Sequence, residues 1–289
     1  MKNHRKIFII IGVLFSNYLF TMEWPIQDGN PVSNFGWNDS GQAALGNIFE
    51  GNGEITAIDN GELIFFQFGY NSASRLPAPL GSWIALDHTE GGLISIYSRI
   101  SNEKISIPNF IEKDMVLGMA GRSGWSNRQG VYFSLFDRKE RRWVNPAMIV
   151  SPLQDTRAPI IHSVMLQNAE RRSFDLAQVR NISQGRYSIS AVVTDTRLSP
   201  NENPLAPYRI TCVMNGIEVG TLNFETYSSR DGVLMVHRNG LVPVKQVYAP
   251  IPGFEIGEIL LTRGQVILDI IAYDIAGNSQ SIQYRLQID

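Results

Sequence analysis

Cysteine is almost absent from this chain of 289 residues, which contains only Cys212. A single thiol cannot close an internal disulfide, so the sequence excludes an intramolecular disulfide framework. Cys212 lies in an alternating strand pattern, where a lone cysteine most often serves as a small core residue. We therefore expect the fold to depend on packing and hydrogen bonding alone.

A strong charge of either sign is also lacking. The chain has 25 Lys and Arg against 27 Asp and Glu, which gives a net charge of −2 and a pI near 6.1. Nucleic-acid-binding domains usually carry a basic surface, so no nucleic-acid partner is predicted. Hydrophobic residues make up 44% and charged residues 18% of the chain, a balance that supports packed cores. The 25 glycines, 14 prolines and many Ile, Val, Tyr and Phe residues favour β-structure.

The chain lacks an apolar run long enough to span a membrane at its amino-terminal end. The run at residues 7–20 is too short, because a spanning helix needs about 20 residues. Lys2, Arg5 and Lys6 precede this run, which is the order of a secretory signal. We predict a signal peptide at residues 1–22 and contact with a membrane only through this segment. An uncleaved anchor remains the alternative, and no cysteine lies nearby to carry a lipid.

Strand-like alternation recurs along the rest of the chain between turns rich in Gly, Asn and Pro, and no segment up to residue 100 keeps a 3.6-residue period. We predict an all-β fold, with an antiparallel domain at residues 25–150, a linker at 151–159 and a β-sandwich domain at 160–289. The predicted strands are residues 53–58, 62–68, 83–88, 93–100, 116–118 and 130–136, then 162–166, 186–194, 208–215, 218–224, 234–237, 266–273 and 281–288.

The predicted second domain carries a recognisable turn. Residues 274–278 read D-I-A-G-N, and residues 192–195 form a similar strand that ends in Asp195. The D-x-A-G-N turn resembles the last hairpin of many bacterial immunoglobulin-like modules. The resemblance implies an immunoglobulin-like β-sandwich for residues 160–289.

The predicted first domain carries an ordered series of motifs. They are F-G at residues 35–36, A-I-D-N-G-E-L at 57–63, I-A-L-D-H at 84–88, I-S-I-Y-S-R-I at 94–100, G-M-A-G-R-S-G at 118–124, G-V-Y-F-S-L-F at 130–136 and N-P at 145–146. In this order they resemble the lysostaphin/LytM-type zinc peptidases, which cut peptide cross-links of peptidoglycan. The resemblance implies a lysostaphin-like antiparallel β-sheet or barrel-sandwich domain, with the duplicated hybrid motif fold.

Such peptidases hold zinc with His and Asp side chains, and the metal activates a bound water. In this chain the two positions of the first ligand motif fall on Ala44 and Ile48, and the assisting histidine falls on Arg99. The two histidines of the family's H-L-H-F motif fall on Gly130 and Tyr132. The resemblance therefore implies a degenerate member whose zinc ligands are absent.

A histidine count supports the same interpretation without an alignment. The chain has His4, His88, His162 and His237, of which only His88 lies in the predicted first domain. One imidazole cannot build the family's zinc site, and the guanidinium of Arg99 cannot act as a base because it stays protonated. We therefore predict no catalytic residues, no metal ligands and no cofactor.

The cleft that remains could still bind a ligand. Its candidate binding residues are His88, Tyr97, Arg99 and Tyr132. The resemblance implies an exported protein of the bacterial cell envelope, periplasmic or extracellular, that binds peptidoglycan or acts as an activator or scaffold for another wall hydrolase. In the cleft, Arg99 would pair with an acidic group.

Two alternatives remain open on the sequence. One is an active zinc endopeptidase of peptidoglycan that uses non-standard ligands, for example Asp87, His88 and Glu90. The other is a structural or adhesion module of the envelope that never touches the wall.

Overall fold

Antiparallel strands carry most of the chain in the computed structural model, which describes residues 22–68, 78–88, 91–101, 106–248, 250 and 253–289. The predicted signal peptide lies outside the described residues except for Met22, and so does Glu90. Among the described residues, no helix is long and apolar enough to cross a membrane. The prediction of an all-β fold is confirmed.

The first half contains twelve strands and one short 3-10 helix at Pro146–Met148. The strands are β1 Asn30–Ser33, β2 Asn38–Asp39, β3 Gln42–Ala43, β4 Asn47–Glu50, β5 Glu54–Thr56, β6 Gly61–Gln67, β7 Ser82–His88, β8 Leu93–Ile100, β9 Phe110–Ile111, β10 Val116–Met119, β11 Gly130–Asp137 and β12 Arg142–Val144.

The second half contains eleven strands and one short helix, α1, at Val244–Val247. The strands are β13 Ile160–Asn168, β14 Ser173–Asp175, β15 Asn181–Ile182, β16 Gly185–Thr194, β17 Arg209–Met214, β18 Ile217–Arg230, β19 Val233–Arg238, β20 Leu241–Pro243, β21 Phe254–Leu261, β22 Gly264–Tyr273 and β23 Ser279–Ile288.

Sheet pairing runs without a break from one half to the other. The order β15-β23-β22-β17-β18-β12-β11-β8-β7-β6-β9 forms one continuous sheet, and β4 joins it beside β11. The link between the halves is the antiparallel pair of β12 and β18, in which Trp143 lies opposite Tyr227. A separate sheet, β14-β13-β16-β21, covers the second half. The second half is therefore a sandwich of two sheets, and its immunoglobulin-like character stays a prediction.

Two hydrophobic cores form between these layers. The first-half core is built by inward residues of β7, β8 and β11, including Ile84, Tyr97 and Phe133. The second-half core lies between the two sheets and includes Phe224 and Tyr248. Alternate residues of each strand enter the core, as a half-buried sheet requires.

One loop of the first half packs into the second-half core. Phe35 is fully buried there, with its ring centroid 4.8 Å from that of Tyr227. The Tyr248 hydroxyl donates a 2.6 Å hydrogen bond to the Gly36 carbonyl oxygen, and the Asn38 side chain donates to the Gly253 carbonyl oxygen at 2.9 Å. The boundaries 25–150, 151–159 and 160–289 stay a prediction, and this loop belongs structurally to both halves.

Candidate binding cleft

Four of the five positions implied to be former metal or catalytic positions lie close together on one sheet face, and Ala44 is the exception. In the ladder of β4, β11 and β8, Tyr132 lies directly opposite Ile48 on one side and Ser98 on the other. Arg99 follows Ser98 in β8, and Gly130 lies opposite Glu50 two residues from Tyr132. Residues opposite one another share a face of the sheet. We call the surface around Ile48, Glu50, Arg99 and Tyr132 the cleft.

Arg99 projects from an irregular point of β8. The pairing of β7 with β8 shifts register between Ser82 and Trp83, which leaves Arg99 as an extra residue with φ of +67°. Left-handed backbone is uncommon for residues other than glycine, and β-bulges often re-aim a side chain next to a functional site. The Arg99 amide donates to the Leu80 carbonyl oxygen at 3.1 Å.

The bulge is braced from a neighbouring loop. The Ser123 hydroxyl donates a 2.7 Å hydrogen bond to the Ile100 carbonyl oxygen and accepts one of 2.9 Å from the Ser82 amide. Ser123 belongs to the G-x-x-G-x-S-G block that begins within β10. Both of its hydrogen bonds are to backbone, so the serine holds the strand end beside Arg99 and is not placed as a nucleophile.

The electrostatics of the cleft centre on Arg99. Its guanidinium is partly buried, and this burial lowers its pKa, while Tyr132 and Glu50 act in the opposite direction. The ordinary arginine pKa is so high that the side chain remains charged at neutral pH. Burial raises the pKa of the Tyr132 phenol, which therefore stays protonated and offers a hydrogen-bond donor beside the cation.

Close contacts with neighbouring atoms leave no room for a side chain at two glycines of this site. A Cβ on Gly130 would lie 2.0 Å from the Phe49 carbonyl oxygen, and a Cβ on Gly46 would lie 2.4 Å from the Phe133 carbonyl oxygen and 2.9 Å from Cζ of Tyr132. Real Cβ contacts do not approach 3.0 Å or less. Gly46 therefore lets the segment before β4 lie against the Tyr132 ring, and no side chain fits at position 130 on this backbone.

These residues do not fit a zinc ion. Ile48 and Gly130 have no donor atom, Arg99 is a cation, and Tyr132 keeps its proton. Ala44 also has no donor side chain, and its backbone is held in the loop that carries Phe35, with its amide bonded to the Trp37 carbonyl oxygen at 3.0 Å. No catalytic step through zinc follows from this arrangement.

Two of the predicted cleft residues lie in the interior, and their assignment to the cleft is wrong. Tyr97 is fully buried in the first-half core, where its hydroxyl oxygen accepts a 3.1 Å hydrogen bond from the Ile58 amide. It lies opposite Phe133, a core residue, so it shares the inward face of the sheet. Its phenol contacts protein on all sides and is closed to a ligand.

His88 is the second correction. It is buried, with Nδ1 2.7 Å from the Asn60 carbonyl oxygen and Nε2 2.7 Å from the Ser95 hydroxyl. A carbonyl oxygen can only accept, so Nδ1 carries the proton, and in the neutral ring Nε2 accepts from Ser95. Both ring nitrogens are therefore occupied by structural hydrogen bonds.

The same contacts weigh against the non-standard zinc ligands. His88 has no free nitrogen, and the buried Asp87 pairs through Oδ2 with Nη1 of Arg138 at 2.5 Å. Glu90 lies outside the described residues. This alternative loses His88 as a ligand, and one oxygen of Asp87 is already held in an ion pair.

The rim of the cleft carries charges that the sequence analysis did not single out. An open depression of about 590 Å³ next to Glu50 is lined by Arg122, Asn127, Arg128 and Gln129. Arg128 pairs with Glu50 through a 2.7 Å contact between exposed or partly exposed side chains. Three arginines, counting Arg99, thus face one carboxylate, and the local charge is positive. In the sequence, the position of Arg122 within the glycine-rich motif at residues 118–124 was the feature that could have indicated this charged rim.

Comparison with known proteins gives the following matches. A protein-family model that carries no descriptive name matches residues 158–289. No curated protein matches the chain.

Solved structures that resemble the chain include the catalytic domain of the prophage-encoded M23 protein EnpA of Enterococcus faecalis, with 20% identity over 44% of this chain and 95% of that chain and a TM-score of 0.36. The catalytic domain of lysostaphin from Staphylococcus simulans shows 16% identity over 38% and 80%, with a TM-score of 0.31. The SpoIIQ–SpoIIIAH pore-forming complex gives 15% identity over 46% and 92%, with a TM-score of 0.36. These neighbours include peptidases of the group that the motif series resembles, and the interpretation of the cleft rests on its own geometry.

Proposed function

We propose that this protein is an exported cell-envelope protein that binds peptidoglycan through the cleft and does not cleave it. The observation that carries the proposal is Arg99, a charged side chain held by a braced bulge beside the neutral phenol of Tyr132. A guanidinium next to a hydroxyl donor is suited to a carboxylate, since the two groups offer charge-assisted hydrogen bonds. The free carboxylates of peptidoglycan stem peptides have this chemistry.

The surroundings of Arg99 support binding of an anion over binding of a metal. Arg122 and Arg128 line the adjacent depression and add positive charge at the rim. Such charge repels a divalent cation and draws an acidic ligand toward the cleft. Ile48 supplies an apolar contact on the other side of Tyr132. The ligand class that fits is an extended peptide with a free carboxylate.

Retention on purified peptidoglycan tests this proposal. The full chain is sedimented with insoluble peptidoglycan, and Arg99→Glu is expected to lower the bound fraction at least tenfold because it places a second carboxylate where the ligand binds. Arg99→Lys keeps the charge and is expected to retain part of the binding. Arg99→Asn removes the charge in a residue type that tolerates the left-handed backbone, so its loss of binding would not reflect strain.

Arg172→Glu provides the matched control. Arg172 is exposed just before β14 in the second half, and this substitution changes the charge by the same amount outside the cleft. Equal retention of Arg99→Glu and Arg172→Glu would contradict the role of the cleft. Absence of retention by the unaltered protein would favour the structural or adhesion module. Release of soluble peptides from peptidoglycan by metal-replete protein would contradict the proposed inactivity.

A role as activator or scaffold of a wall hydrolase is compatible with the same surface. In that case the acidic group would belong to the hydrolase, and Arg99→Glu would lower stimulation of hydrolysis without changing sedimentation. The proposal gives peptidoglycan priority because the motif series that positions Arg99 resembles domains that hold a peptidoglycan peptide in this cleft.

A further inference from the structure

Three carboxylates from distant parts of the chain meet at the inner edge of the second half. Asp155 lies in the segment between the halves, Asp195 follows β16, and Asp274 follows β22. One oxygen of each lies within 4.8 Å of the others. Among the described residues, these are the one group of three or more Asp, Glu, His or Cys side chains close enough to share a metal ion.

Local hydrogen bonds fix the orientation of the three carboxylates. Asp274 accepts from the amide and the side chain of Asn278 at 2.8 and 2.7 Å. Oδ1 of Asp155 accepts from the Arg157 amide at 3.0 Å. The D-x-A-G-N turn thus holds Asp274 toward the other two, and the cluster is preformed.

Asp195 carries the observation that points to a ligand. Its side chain is only 6% exposed, and Oδ1 accepts from the Thr196 amide at 2.9 Å. Within the described part of the chain, no donor reaches Oδ2, and no Lys, Arg or His forms an ion pair with any of the three aspartates. Arg197 lines the adjacent cavity, but it forms no ion pair with the three aspartates, and a buried carboxylate without an ion pair is costly. Asp195 lies beside two further carboxylates, and a bound cation would offset the charge of all three.

Space for a cation and its water ligands lies beside the cluster. A cavity of about 70 Å³ between the halves is lined by Asp155, Asp195 and Arg197, and by Trp24 and Asn145 from the first half. Across this cavity the Asn34 side chain exchanges hydrogen bonds of 2.9 and 2.7 Å with the Ala206 backbone. The cluster therefore lies at the contact between the two halves.

We propose that Asp155, Asp195 and Asp274 form a calcium site that fastens the inter-domain segment to the second half. Ca²⁺ takes six to eight oxygen ligands at about 2.3–2.6 Å, so two ligands on opposite sides of one ion lie about 4.6–5.2 Å apart. The three oxygens lie within 4.8 Å of one another, inside that upper limit. Mg²⁺ needs ligand distances of about 2.0–2.1 Å and near-ideal octahedral geometry, and an oxygen-only set is a poor zinc site.

Calcium would link three separate pieces of chain. The ion would join the segment at Asp155 to the ends of β16 and β22, next to the Asn34–Ala206 contact. It would thereby set the orientation of the first half, and so of the cleft, relative to the sandwich. This inference stands independently of the proposed binding to peptidoglycan.

Calorimetric titration and thermal unfolding of the full chain test the site. After treatment with EDTA, the protein is titrated with CaCl₂ and separately with MgCl₂. A dissociation constant on the order of 10⁻⁴–10⁻³ M is expected for calcium, as in other extracellular modules. At tenfold excess over that constant, the unfolding temperature should rise by about 3–6 °C.

Asp195→Asn keeps the shape of the side chain and removes its charge. It is expected to weaken calcium binding at least tenfold and to abolish the thermal shift. Without calcium, its unfolding temperature should equal or exceed that of the unaltered protein, because the substitution relieves repulsion among the aspartates. Asp231→Asn is the control, since Asp231 is exposed in the β18–β19 turn of the same half.

Several results would overturn the proposal. They are no heat and no thermal shift with CaCl₂, an equal response of Asp195→Asn and the unaltered protein, or an equal response to MgCl₂. A response to an organic amine such as methylammonium with none to calcium would instead assign the carboxylates to an amine-bearing ligand.

Discussion

Gly130→Ala tests whether the backbone at the cleft leaves no room for a side chain at position 130, where the motif series implies a ligand in related domains. The added Cβ would lie 2.0 Å from the Phe49 carbonyl oxygen, 3.0 Å from the Phe49 carbonyl carbon and 3.1 Å from Cα of Glu50. These atoms belong to the backbone of β4, which pairs with β11 through Glu50 and Gly130. No rotation of a side chain can relieve the contact, so the two strands must separate by about 1 Å.

The expected cost follows from two contributions. Overpacking a well-packed site costs about 1–3 kcal/mol, and each strand hydrogen bond that is stretched contributes about 0.5–1.5 kcal/mol. We expect Gly130→Ala to lower the free energy of unfolding by about 2–4 kcal/mol, which lowers the unfolding temperature by roughly 5–15 °C. Gly130→His, the family residue type, should cost more because the whole imidazole must be placed.

Chemical and thermal unfolding followed by circular dichroism measure this effect. Gly51→Ala is the matched control, since its Cβ would meet only the flexible Ile26 side chain at 3.4 Å and the Gly29 Cα at 3.7 Å, and it should change the free energy of unfolding by less than about 0.5 kcal/mol. A Gly130→Ala protein as stable as the Gly51→Ala protein would refute the argument that the strands are closed at this position.

Two further predictions concern the second half. Burial and the facing charges of Asp155 and Asp274 raise the pKa of Asp195 to about 7, with Arg197 acting in the opposite direction. The folded state therefore retains a proton that the unfolded state releases, and stability of the calcium-free protein should fall as pH rises from about 4 to about 7, by up to about 1.4 kcal/mol per pH unit. Denaturant unfolding in EDTA at several pH values measures this slope, and an Asp195→Asn protein with the same slope would contradict the assignment. Phe35→Ala should cost about 3–5 kcal/mol of unfolding free energy and destabilise the second-half core, although Phe35 belongs to the first half. Tryptophan fluorescence and hydrogen exchange in β18 measure the effect, and Phe110→Ala, at an exposed position, is the control. Unchanged protection of β18 would show that the loop is not part of that core.

Much of the strand pattern could be predicted because alternation and glycine turns are local signals. All thirteen predicted strand segments overlap strands of the structure, and β8 has the predicted bounds. β21 was missed because the glycines and prolines around it indicate turns. Its position is set by pairing with β16, where a register shift between Ile189 and Ser190 leaves Ile256 as an extra residue. Tertiary pairing overrides local propensity at such a strand.

The cleft was predicted only in part, because the direction of a side chain depends on strand register. Tyr97 and Tyr132 both follow from the motif series, yet Tyr97 lies opposite Phe133 and faces the core. The bulge at Arg99 changes the face on which the arginine emerges, and a bulge has no reliable sequence signal. The meeting of Asp155, Asp195 and Asp274 depends on topology, although two of these residues lie in strand-end motifs that the sequence makes visible.

The most direct test of the central claim compares two affinities of the full chain. One is for a stem peptide with a free carboxylate, and the other is for the same peptide amidated at that group. If Arg99 and Tyr132 bind the carboxylate, calorimetry should show at least tenfold weaker binding of the amide, and Arg99→Asn should remove the difference between the two peptides. Equal affinity for both peptides, or a preference that survives Arg99→Asn, would contradict the claim that the cleft binds an anion through Arg99.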